Sequence, residues 1–308
     1  IKVNIMKLDY KICDSKKSGA ISIIQFCTIP SDTFEYIHGL RALLEGMLVI
    51  TEQSESGDVN HLSAKNNSPH YIFFSDGDIL EGAKQNRVLN TAVLLKPEST
   101  FTIPVSCVEQ GRWRYRTRQF SGSDMFAPHK LRKNKLDKMS RHQEEKEMAA
   151  RETQGDVWRD VREYTVSFNI SSDTDDLTDV MNKKLHAMRH EQPHHTLPER
   201  HPEANGVAVC VDGSVQMVEI FNRRDVFGEY FNRIVQAVMF DFEVPGIQEG
   251  DIKADEYHLL EYLDQLFAME WKQYPATAEG SERRISEGNL SGIQLCFGEN
   301  LIHMVAMR

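Results

Sequence analysis

The sequence lacks several features that would assign it to a specialised structural class. Its longest apolar stretch, residues 40–50, is interrupted by Arg41 and Glu45, so no run of about 18 apolar residues can span a bilayer. Five cysteines are widely spaced and form no C-x-x-C pair, which argues against a zinc ribbon or a disulfide scaffold. The first ten residues are too polar for a secretory signal. We therefore expect a cytoplasmic protein with no membrane contact.

No G-x-G-x-x-G sequence, Walker loop or G-x-S-x-G sequence occurs in the chain. The Rossmann and P-loop classes are therefore poorly supported. The sequence implies no cofactor beyond a candidate divalent metal.

Acidic residues predominate, but the charge is unevenly distributed. The net charge of −10 disfavours unspecific binding of the whole protein to nucleic acid. The basic 112–151 segment, however, holds twelve Lys and Arg against five Asp and Glu. It is either a solvated helix face or a contact surface for a protein or RNA partner, through Lys133, Lys135 and Lys138.

The apolar patterns predict an α+β fold, with mostly antiparallel sheets and packed helices. Strand patterns dominate residues 20–120, where we expect one antiparallel sheet and a single helix at 32–46. Asp-Gly pairs predict hairpins at residues 76–77 and 212–213. Helical spacing recurs at 158–164, 177–185, 225–242 and 256–272.

These elements form two sheet-containing halves joined by a charged helical segment. Residues 1–127 are predicted to be a β-rich N-terminal half, and residues 207–308 a C-terminal α+β half. Between them, residues 128–206 hold charged helices and a His- and Pro-rich linker. The alternative is one continuous domain.

Two long motifs give the sequence a family resemblance. The first runs from Asp76-Gly77-Asp78 through residues 81–90, and the second covers residues 103–113, from Ile103 to Trp113. They resemble the domain family named for its association with ADP-ribosylglycohydrolases and rhodanese-phosphatase superfamily proteins. The resemblance implies a role in metabolising or sensing ADP-ribose or a related nucleotide, without specifying a reaction.

The polar insert of the first motif is the main candidate site. It is longer than the roughly two to five residues that a plain hairpin loop needs. Its cationic and amide groups suit the phosphates, sugar and base of a nucleotide. The candidate ligand-binding residues are Lys84, Gln85, Asn86, Arg87, Asn90, Arg112 and Trp113. The alternative is a structural plug, in which these groups satisfy buried backbone atoms.

An extended segment after Gly111 would place Arg112, Arg114, Arg116 and Arg118 on one face. Such a ladder suits a diphosphate or a polyanion, with neighbouring aromatic rings stacking on a base. A charged edge that blocks aggregation is the alternative.

If the protein is an enzyme, we expect a hydrolase or transferase acting on a nucleotide derivative. Glu109 lies on an otherwise apolar strand face and is the first candidate base, with Glu81 the second. His303, between apolar residues of the last strand, is a further candidate acid or base. The alternative function is a non-catalytic sensor or interaction module in bacterial stress or phage defence.

Two weak sets of metal ligands are present. Asp76 and Asp78, with Glu81, can ligate Mg²⁺, although turn chemistry alone explains both aspartates. His186 and His190 are four residues apart on a predicted helix and can hold a transition metal.

Overall fold

The computed structural model describes residues 8–141, 146–191, 197–243 and 252–308, and it confirms the α+β class. The strands are β1 (Asp9–Ser18), β2 (Ile21–Ile29), β3 (Ile37–His38), β4 (Leu48–Glu52), β5 (His61–Asn66), β6 (Ile72–Phe74), β7 (Asp78–Gly82), β8 (Arg87–Leu89), β9 (Val93–Leu95), β10 (Ser99–Cys107), β11 (Phe120–Phe126), β12 (Gly206–Val211), β13 (Ser214–Phe221), β14 (Lys272–Pro275), β15 (Ser281–Glu287), β16 (Leu290–Phe297) and β17 (Asn300–Met307). The helices are α1 (Gly39–Leu44), α2 (His129–Arg141), α3 (Lys146–Ser167), α4 (Leu177–Glu191), α5 (Arg224–Phe242) and α6 (Lys253–Ala268).

The largest sheet has eight antiparallel strands in the order β1-β2-β12-β13-β17-β16-β15-β14. Strand β2 pairs with β12 from Phe26 opposite Gly206 to Ile21 opposite Val211. The sheet therefore takes strands from both predicted halves, as one continuous domain would. The predicted boundaries themselves stay a prediction.

Both faces of this sheet are covered, because successive side chains on a strand point to opposite sides. On β12, Val207 and Val209 share a core with Phe227 and other apolar residues of α5. Ala208 and Cys210 point the other way and share a second core with apolar residues of α6. The amphipathic spacing of α5 and α6 is thus confirmed as the sequence predicts.

The remaining strands form a six-stranded sheet, β11-β7-β8-β10-β5-β4, and a three-stranded sheet, β3-β6-β9. The expectation of one sheet over residues 20–120 is therefore wrong. Its first strand, β2, belongs to the eight-stranded sheet, and the other strands of this range are divided between the two smaller sheets. Local apolar patterns identify strands but carry no information on which distant strand each one pairs with.

The predicted hairpin at Asp76-Gly77 is also wrong, because β6 and β7 lie in different sheets. A two-residue type I′ turn needs positive φ at both central residues, and neither of these residues has it. Asp212 and Gly213 do, with φ of 47° and 79°, and they form the confirmed β12–β13 hairpin. Gly77 instead leaves room for the Phe126 ring, since a Cβ at position 77 would lie 2.5 Å from that ring.

The helix expected at 32–46 is shortened to Gly39–Leu44. Strand β3 explains the difference, because Ile37 and His38 pair with β6 in an extended conformation, and the Ile37 N–H donates to the backbone oxygen of Tyr71 at 2.9 Å. The charged segment is helical as predicted, and apolar residues of α3 and α4 pack with Ile79 and Val88 of the six-stranded sheet. Among the described helices, none has the length and apolar character needed to cross a bilayer.

Candidate functional site

Strand pairing brings the two sequence motifs together. The polar insert at residues 83–86 connects β7 to β8, and β8 pairs with β10 so that Arg87 lies opposite Cys107. The insert therefore lies beside the segment that follows β10, which carries Glu109, Arg112 and Trp113. Asn90 lies outside this cluster, and its side-chain oxygen accepts a hydrogen bond from Ser106 at 2.8 Å.

The innermost part of the site is the ion pair between Glu109 and Arg112. Both residues are buried, and Arg112 donates from Nε and Nη2 to the two carboxylate oxygens at 2.7 and 2.6 Å. The backbone N–H of Asn86 and the hydroxyl of Thr174 also donate to this carboxylate, each at 3.0 Å. Burial alone would raise the pKa of Glu109, but hydrogen bonds from Arg112 and Asn86 outweigh it and lower the pKa. Such a carboxylate is a weak base.

Two motif residues, Arg112 and Asn86, hold the polar insert in place. Arg112 donates to the backbone oxygens of Ala83 at 2.7 Å and Gly82 at 3.2 Å. Asn86 accepts from the N–H of Gly82 at 3.0 Å and donates to Asp176 at 3.0 Å. These contacts are the ones expected if the polar insert is a structural plug, whose side chains satisfy buried backbone atoms. The ligand-binding roles of Asn86 and Arg112, and the catalytic role of Glu109, stay predictions.

An outer part of the site contains cations and aromatic rings. Arg87 is fully buried; its Nη1 donates to Gln85 at 2.9 Å and contacts the Cys107 sulfur. Lys84 Nζ and Arg87 Cζ lie 5.3 and 5.6 Å from the centre of the Trp113 ring. Trp113 is itself 46% exposed. The cations therefore lie against an indole that solvent still reaches.

The predicted arginine ladder does not form, because β10 ends at Cys107 and no strand follows before β11. Arg112 turns inward to Glu109, which ends the expected alternation. Arg114, Arg116 and Arg118 are nevertheless exposed. We use the name Trp113 surface for the group formed by Lys84, Trp113, Arg114, Tyr115, Arg116 and Arg118.

A second buried polar cluster lies between the sheets. Arg132 donates to Asp76 at 2.8 and 3.1 Å and to Glu219 at 2.7 and 2.8 Å. The Nε2 atom of His303 lies 2.9 Å from Glu219. His303 was predicted from sequence, whereas Arg132 and Glu219 were not. A signal for Glu219 was available, because it is a single charge within the apolar pattern of β13.

One atom from each of Asp76, Glu219 and His303 lies within 4.8 Å of the others, as in a metal site. The Arg132 guanidinium, however, already forms ion pairs with both carboxylates. Asp78 instead pairs with Arg233 at 2.8 Å. Glu81 points to the opposite face of β7 from Asp78, so the predicted Mg²⁺ ligands do not converge.

The predicted histidine pair lies on α4. His186 and His190 are exposed, and their ring centres are 4.5 Å apart. Metal binding by this pair stays a prediction.

The basic 112–151 segment is less exposed than expected. Lys135 is 2% exposed and donates to the backbone oxygen of Asp76 at 2.8 Å, so it cannot meet a partner. Lys133 pairs with Asp137, and Lys138 pairs with Asp156. Residues 142–145 of the segment lie outside the described residues.

Comparison with known proteins gives one match. A family model, described as the ARG and Rhodanese-Phosphatase-superfamily-associated Protein domain, matches residues 9–307. No curated protein and no solved structure matches the chain. The match spans all the sheets and helices described above, including both motifs.

Proposed function

We propose that this chain, which belongs to the family of the ARG and Rhodanese-Phosphatase-superfamily-associated Protein domain, binds an ADP-ribose-like nucleotide at the Trp113 surface. The half-exposed Trp113 ring with Lys84 and Arg87 against it is the observation that carries this proposal. An exposed indole can stack on the base of a nucleotide, and the exposed arginines that follow Trp113 can bind the phosphates of the same nucleotide.

The exposed arginines supply the charge that a diphosphate needs. Arg114 and Arg116 are exposed on either side of Tyr115. Arg118 lies over the Tyr115 ring at 4.7 Å and pairs with Glu55 at 2.7 Å, both side chains being mostly exposed. An exposed pair of this kind is weak, so a phosphate can replace Glu55 as the partner of Arg118.

Binding is better supported than turnover. The Glu109 carboxylate accepts hydrogen bonds from Arg112, Asn86 and Thr174, and its pKa is lowered. Hydrolase or transferase activity, with Glu109 or Glu81 as the base, is tested by measuring ADP-ribose turnover in Glu109→Gln and Glu81→Gln variants. We place the binding function in the cytoplasm, where the five unpaired cysteines would stay reduced.

Calorimetric titration with ADP-ribose, AMP and ribose 5-phosphate tests the proposal. Loss of base stacking in Trp113→Ala should weaken ADP-ribose binding by about tenfold or more. Tyr257→Ala is the matched control, because Tyr257 is 59% exposed on α6, away from the motifs. Equal affinity in both variants, or no binding to the wild type at millimolar ligand, would disprove the proposed function.

The exposed arginines also favour a second candidate, the interaction module in stress or phage defence, with RNA as the partner. A single-stranded RNA would contact Arg114, Arg116 and Arg118 together, and its affinity would fall steeply with salt. Titration with a short oligouridine at two salt concentrations distinguishes the candidates, because a small nucleotide shows a much weaker salt dependence.

A further inference from the structure

Residues 53–60, which connect β4 to β5, cover the cationic part of the candidate site; we call them the strap. Three of its backbone oxygens accept hydrogen bonds from side chains beneath it. Ser56 accepts from Lys84 Nζ at 2.9 Å and Asp58 from Arg87 Nη2 at 3.5 Å. Val59 accepts from the Cys107 sulfur at 3.8 Å. The strap therefore gives neutral oxygen partners to two cations.

The strap satisfies these groups incompletely. The Nε atom of fully buried Arg87 has no hydrogen-bond partner among the described residues. The same is true of Glu52 Oε2 and Asn60 Oδ1, at the two ends of the strap. The contact from Arg87 to Asp58 is at the long limit for a hydrogen bond. Although Arg87 also donates to Gln85 at 2.9 Å, its Nε–H group and its long contact to the strap would both gain from a stronger acceptor.

The charges beneath the strap indicate which acceptor that is. Lys84 and Arg87 are both cationic, and the carboxylate of Glu52 lies 3.6 Å from Arg87. Among the described residues, Glu52 is the one carboxylate within ion-pair distance of either cation, so the two cations share a single ion-pair partner. Phosphate oxygens are anionic, and they form shorter and stronger hydrogen bonds to guanidinium than backbone carbonyls do.

We propose that the strap is displaceable, and that the oxygens of Ser56 and Asp58 stand where the phosphate oxygens of a nucleoside diphosphate bind. The inference rests on the proposed function and extends it, because it assigns the phosphate contacts to Lys84 and Arg87 once the strap has moved. Displacement also uncovers the sulfur of Cys107, which is fully buried beneath it.

Substitution of Gly57 provides a way to open the strap without altering the side chains beneath it that donate hydrogen bonds to it. It has a φ of +79°, and a Cβ there would lie 3.1 Å from both the Lys84 side chain and the Trp113 ring. Gly57→Ala therefore disfavours the closed strap through backbone strain and crowding. Gly19→Ala is the matched control, because Gly19 has a φ of +56° and no atom within 4 Å of its added Cβ.

The first measurement is the rate at which N-ethylmaleimide modifies Cys107, resolved by peptide mass spectrometry. Because an L-residue in the left-handed region costs roughly 1–2 kcal/mol, Gly57→Ala should speed modification by about tenfold. Gly19→Ala should leave the rate unchanged. Cys210 and Cys296, buried in the α6 core, are internal controls against global unfolding. An unchanged rate at Cys107, or an equal increase at all three cysteines, would overturn the proposal.

The second measurement is calorimetric titration with inorganic pyrophosphate, which has no base. Gly57→Ala should bind pyrophosphate about fivefold more tightly than the wild type, because the strap no longer competes. Lys84→Met in the same background should reverse that gain. An open strap without tighter pyrophosphate binding would overturn the phosphate assignment. Cys107 modification needs no nucleotide, so failure of the strap is distinguishable from failure of ADP-ribose binding.

Discussion

Arg112 and Glu109 form a two-point ion pair between residues three apart, with both side chains out of contact with solvent. Because both side chains are buried, each charge depends on the other and on the hydrogen bonds around it. The pair also fixes the polar insert, because Arg112 binds the backbone oxygens of Ala83 and of the preceding residue, Gly82. A stability defect and a binding defect can therefore have the same cause here, and experiments must separate them.

The Arg112→Met variant leaves the Glu109 carboxylate buried without its cation. We expect the free energy of unfolding to fall by about 3–5 kcal/mol, as for other broken buried pairs. Urea unfolding followed by circular dichroism measures this change. Arg114→Met, at an exposed position, should change stability by less than about 0.5 kcal/mol. A similar small effect at both positions would contradict the structural role of the ion pair.

Removal of Arg132 should convert the second buried cluster into a metal site. Arg132→Ala removes the guanidinium between Asp76 and Glu219, so we expect a large loss of stability that Zn²⁺ partly restores. Thermal unfolding with and without Zn²⁺ measures this effect, in a His186→Ala background that disables the surface histidine pair. Adding His303→Ala should abolish the rescue, because His303 completes the set of possible ligands. Rescue that persists without His303 would count against this site.

Gly77→Ala should destabilise the fold through crowding. The added Cβ would lie 2.5 Å from the ring of buried Phe126, and overpacking of this kind costs about 1–3 kcal/mol. Because Phe126→Leu removes the clashing ring, Gly77→Ala should cost less stability in a Phe126→Leu background than in the wild type. A double-mutant cycle in urea measures the coupling. Additive effects would show that Gly77 is needed for another reason.

His129 should make the protein less stable in acid. Its pKa is lowered to about 4, mainly by burial; the hydrogen bond to Gln216 opposes this shift, and the charges of Arg132 and Lys133 add to it. Between pH 6.5 and 4 the unfolded chain therefore binds the extra proton, so stability falls as the pH falls. Between pH 7 and pH 5 this residue should cost about 2 kcal/mol.

The contribution of His129 is measured as the difference between the wild type and His129→Gln, from urea unfolding at both pH values. This comparison is needed because burial raises the pKa of nearby Asp241 to about 6, which changes stability in the opposite direction. Exposed His186→Gln is the control and should keep the wild-type pH dependence. Equal pH dependence in wild type and His129→Gln would refute the assignment.

The sequence allowed prediction where local patterns decide the structure. The apolar strand patterns around Asp212-Gly213 predicted the β12–β13 hairpin, and the helical spacing of apolar residues predicted α5 and α6. It failed at Asp76-Gly77, because the same dipeptide serves there as a close packing position next to Phe126. Asp76 and Gly77 do form a turn, in which the Asp78 N–H donates to the backbone oxygen of Ser75 at 3.2 Å. The strands on either side of this turn pair in different sheets, which depends on residues far away in the sequence.

The sequence predicted which residues form the candidate site, but not which of them belong to its innermost part and which to its outer part. Polarity identified Lys84 to Arg87 and Arg112 as a group, and β8–β10 pairing does bring them together. Whether a given cation is free to bind a ligand or is already bound by protein groups depends on its tertiary partners. The sequence pattern does not specify those partners. Arg112 is bound by Glu109, whereas Arg87 lies beneath the backbone of residues 53–60.

The pairing of β2 with β12 has a consequence for synthesis of the chain. The hydrogen-bonding edge of β2 that faces β12 has no native partner until Gly206–Val211 has left the ribosome, about 180 residues later. At the typical rate of about 5–20 residues per second, that interval is on the order of ten seconds or more. During this time an apolar strand edge is open to pairing with other chains. Nascent chains therefore depend on protection of β2 until the C-terminal part of the sheet arrives.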